Sequence, residues 1–231
     1  MSRPSTIAID GFAASGKSTV GQQLAKTLGY LYFDTGVMYR AVTWAVLNRH
    51  ISPDDAEAAS ALAESVTITV EPPTVNDGRQ NTVRVDGQDI TWDIRRADVV
   101  THVSRVSSYP RVRAALTAQQ RRIAAPGKVV MVGRDIGTVV LPDADLKVFL
   151  LASAEERARR RYAQDIAQNR PADYDAILAG IIARDRQDEA NPVSPTKPAP
   201  DAVLISTDNV PVEQVIAQII ELATRIANGT K

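Results

Sequence analysis

Two periodicities alternate along the chain. Nearly continuous apolar runs at residues 6–9, 30–33, 128–132, 146–151 and 202–205 predict strands buried on both faces, the pattern of a parallel sheet covered by helices. Between such runs, apolar positions recur every three or four residues. Val20, Leu24 and Leu28 mark one helix, and Gly29 stops it. Ser153 and Glu156 predict a capping box for a helix that begins at Ala154. Pro211 suits a first helical turn, and Val212, Val215, Ile216, Ile219 and Ile226 predict the buried face of the last helix. The expected fold class is α/β, three layers with a central parallel sheet.

The middle of the chain breaks this rhythm. Ser52-Pro53-Asp54-Asp55 predicts the start of an alanine-rich helix. Residues 66–70 and 82–85 alternate apolar with polar, and Asp86-Gly87 is a hairpin-turn signal before a third strand at 88–91. The segment 66–107 therefore reads as a small antiparallel subdomain inserted into a single domain whose core is 1–65 and 108–231. Residues 191–201, with prolines at 192, 195, 198 and 200, read as an extended connection.

The 231 residues suffice for one substantial core, and 44% hydrophobic with 23% charged is an ordinary globular composition. A net charge of zero argues against general nucleic-acid binding, which needs a basic surface. The chain has no cysteine, which excludes disulfides, thiolate catalysis and cysteine-held metals. No apolar run is long enough to span a membrane, and no signal segment precedes the first strand. The expectation is a cytoplasmic monomer with no membrane partner. Asn228-Gly229-Thr230 matches a glycosylation sequon, which reads as coincidence without a secretion signal.

Gly11-Phe12-Ala13-Ala14-Ser15-Gly16-Lys17-Ser18 matches the phosphate-binding loop G-x-x-x-x-G-K-[ST], with a predicted strand before it and a helix after it. That context points several backbone N–H groups and the positive end of a helix dipole at one spot. Lys17 would reach the outer phosphates and the Ser18 hydroxyl would ligate Mg²⁺. Gly11, Ala13, Ala14, Ser15, Gly16 and Thr19 complete the candidate donor site.

Further polar phrases stand at predicted strand ends, where ligands bind in parallel α/β sheets. In Phe33-Asp34-Thr35-Gly36-Val37-Met38-Tyr39-Arg40, Thr35 and the helix-opening amides could hold a second anion with Arg40 closing over it. The bland alternative is a helix start with a surface arginine. Asp34-Thr35-Gly36 also matches an aspartic-protease signature, but a single copy followed by a helical pattern argues against it. In Gly133-Arg134-Asp135-Ile136-Gly137-Thr138, Arg134 could grip a phosphate, and Asp135 is either a magnesium carboxylate or a base-reading acceptor. Arg184 and Asp188 are four apart on one helical face. Arg157, Arg159, Arg160 and Arg161 read either as a solvated helix face or as a lid that neutralises a transferring phosphoryl group. His50 and His102 join no constellation. Ser194-Pro195-Thr196-Lys197 matches S-x-x-K, but its prolines oppose the helix that motif requires.

Taken in order, the loop, F-D-T-G-V-M-Y-R at 33–40, Y-P-R-V-R at 109–113, G-R-D-I-G-T at 133–138 and R-D-x-x-D at 184–188 resemble the bacterial cytidylate kinases over nearly the whole chain. The resemblance implies a P-loop nucleoside monophosphate kinase that moves the γ-phosphoryl group of ATP, with Mg²⁺, to CMP or dCMP. It makes 66–107 the monophosphate-binding insert and 153–171 an arginine-rich lid. By position, Thr35, Arg40 and Arg134 would hold the acceptor phosphate, and Ser104, Arg113 and Asp135 would read cytosine. Arg184 and Asp188 would contact the ribose and phosphate. Arg157, Arg160 and Arg161 resemble lid arginines that close over ATP, and Lys17, Arg134, Arg157, Arg161 and Arg184 would form the catalytic set. The chain departs from the family at Phe12 and Ala14, where proline and glycine are common, and at Asn191, where an arginine is usual. The competing readings are a small P-loop kinase for UMP or a metabolite such as shikimate, and a GTPase-type switch. The switch needs an N-K-x-D motif, and none occurs here.

Overall fold

The computed structural model describes residues 4–191 and 193–228, so Pro192 and the Gly229-Thr230 part of the sequon lie outside the described residues. Backbone contacts divide the chain into two compact units. One comprises the residues up to Tyr30 and those from Lys128 onward; the other is Leu31–Gly127.

In the first unit, parallel strands run in the order β6-β1-β7-β8, with β1 Thr6–Asp10, β6 Val129–Val132, β7 Leu146–Leu151 and β8 Val203–Ser206. Ile7 pairs with Val130 on one side of β1 and with Leu146 on the other. Ile7 and Ile9 are fully buried, as are all four residues of β6, as their unbroken apolar pattern predicts. Helix α1 (Lys17–Leu28) packs on β6 and on α8 (Val212–Ala227), while α6 (Ala154–Ala167) and α7 (Tyr174–Glu189) pack on each other. No helix of the described residues is long and apolar enough to cross a membrane.

The second unit holds β2 (Leu31–Asp34), α2 (Gly36–Asn48), α3 (Ala56–Ser65), α4 (Ala97–Val106) and α5 (Pro110–Ala124). Its small antiparallel sheet is β3-β4-β5, at Ile68–Glu71, Thr82–Val85 and Gln88–Asp89. The turn at Asp86-Gly87 takes two left-handed residues, φ 49° and 84°, the mirror-image turn that matches the strand twist. A buried Arg79 ties the loop before β4 to β5 through Asp77 and Asp89. Helix α2 directly follows Asp34, which removes the aspartic-protease reading.

Three local expectations are corrected. Ile226 is 39% exposed, and Ala223 and Ala227 lie on the buried face instead. The buried positions 215, 219, 223 and 227 recur every four residues, and Ile226 falls one short of that row. The capping box forms by half. Ser153 Oγ accepts from Glu156 N at 3.2 Å, but Ser153 N donates to Asp208, and the Glu156 carboxylate is taken by Arg159 and Arg160. The strand expected to run from 88 to 91 ends at Asp89, because the Asp89 carboxylate accepts from both Thr91 N and Thr91 Oγ1 and turns the chain.

Candidate active site

The phosphate loop joins β1 to α1 where the sequence places it. Gly11 sits at φ 147°, and a Cβ there would meet Leu150 O at 2.5 Å and Ser15 Oγ at 2.9 Å, so no side chain fits. Gly16 caps α1 in the left-handed region, at φ 95°. Ala14 is left-handed as well, at φ 61°, a conformation that glycine adopts without strain. Lys17 Nζ lies over the loop, 2.5 Å from Phe12 O and 3.5 Å from Ser15 Oγ. Ser18 and Thr19 stand exposed in the first helical turn. Behind the loop, buried Thr207 donates to Ser15 O and accepts from Arg160 Nη1. Arg160 is thereby held beside Gly16, with Nη1 3.8 Å from the position of a Cβ there.

Asp10 is the residue this reading of the sequence passed over. It ends β1, is 3% exposed, and accepts from Ile136 N at 2.8 Å and Gly137 N at 2.7 Å. These two bonds anchor the π-helical turn Ile136–Val140, and with it Asp135, which is itself buried. Burial pushes the Asp10 carboxyl up to about 6; the two amide hydrogen bonds oppose this, the Asp135 charge adds to it and the Lys17 charge offsets it. A carboxylate at the end of an apolar strand, directly before a phosphate loop, was signal enough to find it.

Asp188 gathers two of the expected arginines. Its carboxylate accepts from Arg134 Nε at 2.6 Å and from Arg184 Nε at 3.3 Å. Arg161 pairs with Asp165, one turn along α6. Arg157 is 3% exposed and forks onto Asp185, a residue of the R-D-x-x-D run that was not singled out. Position 191 lies beyond the helix, at the start of the extended connection. Helix α7 ends at Glu189, and Asn191 Oδ1 accepts from Val193 N and Ser194 N, both at 3.0 Å. Residue 191 thus builds a turn rather than continuing the face of Arg184 and Asp188.

In the second unit, Thr35 is 4% exposed at the start of α2, and Arg40 is exposed one turn further on. The Arg113 guanidinium lies 5.1 Å over the Tyr39 ring, and its Nη1 donates to Ser107 O. Ser104 is exposed on α4.

A strand, a phosphate loop closed to side chains, a helix opening on Lys17 and Ser18, and arginines on α6 and α7 define a P-loop kinase. A crystal structure of an uncharacterized protein from Eubacterium ventriosum has the same fold, with a TM-score of 0.53 at 13% identity over 95% of this chain and 97% of that one. The family profile of cytidylate kinase matches residues 7–225, and the chain belongs to that family. It is 51% identical to a cytidylate kinase of Chloroflexus aggregans, over 92% of this chain and 91% of the relative. It is 47% identical to one of Streptococcus equi subsp. equi, over 95% and 96%.

Proposed function

We propose that this protein transfers the γ-phosphoryl group of ATP directly to CMP and dCMP. The observation that carries the reading is the phosphate loop itself, in a chain of the cytidylate kinase family: Gly11 leaves no room for a side chain, and Lys17 lies across the loop. The acceptor is already an anionic phosphate, so the task is to bring two anions into line and to neutralise them. Lys17, Arg134, Arg161 and Arg184 supply the positive charge in this reading, with Arg160 fixed beside the loop. Ser18 would hold Mg²⁺, which supplies charge neutralisation on the donor phosphates. The residues suit such a group, because two carboxylates, Asp10 and Asp135, are both buried beside the loop, and the charge of Asp135 adds to the burial that raises Asp10. Asp135 and Arg134 serve acceptor recognition, as do Thr35, Arg40, Ser104 and Arg113 of the second unit. The segment 66–107 acts as the monophosphate-binding insert and 153–171 as the lid, in a cytoplasmic monomer.

A coupled kinase assay with ATP and each nucleoside monophosphate in turn tests this. CMP and dCMP should be preferred over UMP, AMP and GMP. Equal turnover of UMP would move the assignment to the broader pyrimidine kinases.

A further inference from the structure

Phe12 occupies the second position of the phosphate loop. Its ring is not loose surface. It meets the buried Phe149 of β7 edge-on, with centroids 6.1 Å apart and planes at 82°. Over the same ring, at 5.5 Å, lies the guanidinium of Arg157. A cation at that distance is attracted by the negative face of the ring, and more strongly where water is excluded, as it is for Arg157.

The other bonds of Arg157 reach three segments. Nε donates to Ala152 O at 3.1 Å and Ser153 O at 3.3 Å, at the start of α6. Nη1 donates to Ala13 O at 3.4 Å, in the phosphate loop. Nη1 and Nη2 together fork onto the Asp185 carboxylate, at 2.9 and 2.5 Å. This guanidinium has little capacity left for a bound nucleotide. It works as a post between the loop and α7.

Asp185 precedes Asp188 by three residues on α7, so the two share a helical face. Asp188 holds Arg134 and Arg184. One end of α7 is thus tied to the phosphate loop and the neighbouring turn to the arginine pair.

We infer that Phe12 is a positioning residue: through Arg157 and Asp185 it transmits donor binding in the phosphate loop to the Arg134–Asp188–Arg184 set that serves the acceptor. This deepens the kinase reading and rests on it. Phosphates that order the loop fix the Phe12 ring and Ala13 O, and so fix Arg157. The forked pair is planar and directional, so α7 follows the guanidinium. The expected result is positive linkage between donor and acceptor, equal in both directions.

The test is calorimetric titration of CMP with and without a non-hydrolysable ATP analogue. In the wild type the analogue should tighten CMP binding. Phe12→Leu keeps the apolar bulk and removes the ring face. It should reduce that tightening by at least about threefold, within the range of a desolvated cation–ring contact, while CMP alone binds within about twofold of the wild type. Phe12→Tyr should restore the linkage, which mere space-filling would not require. Asp185→Asn gives the same readout from the far end of the relay if the loop variant folds poorly. Full linkage in folded Phe12→Leu or Asp185→Asn overturns the inference, as does a wild type that phosphorylates CMP with no linkage at all. A wild type that phosphorylates no CMP overturns the kinase reading itself, and the two failures are told apart by that one assay.

Discussion

Ala14 is a strained residue at the centre of the site. A left-handed alanine costs about 1–2 kcal/mol, and a glycine there returns part of this as chain entropy in the unfolded state. Ala14→Gly should raise stability by up to about 1 kcal/mol, read as a shift in the midpoint of denaturant unfolding. Lys17 is different: on the proposed reading its ammonium, which lies over the loop, serves the transferring group. Lys17→Ala should lower kcat by roughly two to three decades, the loss of about 3–4 kcal/mol of charge stabilisation, with a native circular dichroism spectrum. Near wild-type turnover in the folded variant would remove the loop from catalysis. Both residues were legible from the motif. The strain at Ala14 was not, because a backbone angle has no signature in a residue's name.

At the scale of elements, the helices and strands follow their apolar periods closely, and the departures occur where polar side chains meet backbone. The end of α7 is the clearest case. Arg184 and Asp188 face one way as their spacing predicts, but the helix stops at Glu189 and Asn191 spends its side-chain oxygen on two backbone amides. Asn191→Arg would forfeit both bonds, so it should destabilise the protein by about 1–2 kcal/mol without tightening CMP binding. Calorimetry of CMP with a thermal melt of the same variant checks both halves; tighter binding would return residue 191 to the acceptor site. On α6, Arg159, Arg160 and Arg161 are each engaged by a carboxylate, Glu156 or Asp165. Two carboxylates thus serve these three arginines, and Asp165 also takes Arg170, so the cluster keeps a net positive charge before any phosphate arrives. Arg159 and Arg161 are exposed, and partly exposed ion pairs of this kind are weak and exchangeable. Amide hydrogen exchange over residues 154–171 should slow when an ATP analogue binds, and equal exchange in both states would make α6 an ordinary solvated helix.

For the whole molecule, the consequence of Asp10 is a pH dependence of stability. Its carboxyl titrates near 6 in the folded protein against about 3.9 unfolded. Between these values the folded state holds the extra proton, so stability falls as pH rises, and the charge penalty is complete above about pH 6. The shift corresponds to about 3 kcal/mol. Asp10→Asn removes the titration. Relative to the wild type, the variant should gain about that much stability between pH 4 and pH 7, apart from a constant offset for one altered amide bond. A difference that stays flat with pH would mean that Asp10 titrates like an exposed carboxylate. The sequence by itself determined the sheet strands, the phosphate loop, the small antiparallel sheet and the family, because each is written in local spacing: apolar runs, helical periods, and glycines at positions that no side chain can occupy. Only the tertiary structure decided which charges meet. Arg157 with Asp185 is 28 residues apart, Arg134 with Asp188 54, and Asp10 with Gly137 127. Such partners are chosen by burial and by the need to satisfy every polar group that folding takes out of water, and no local pattern records that choice.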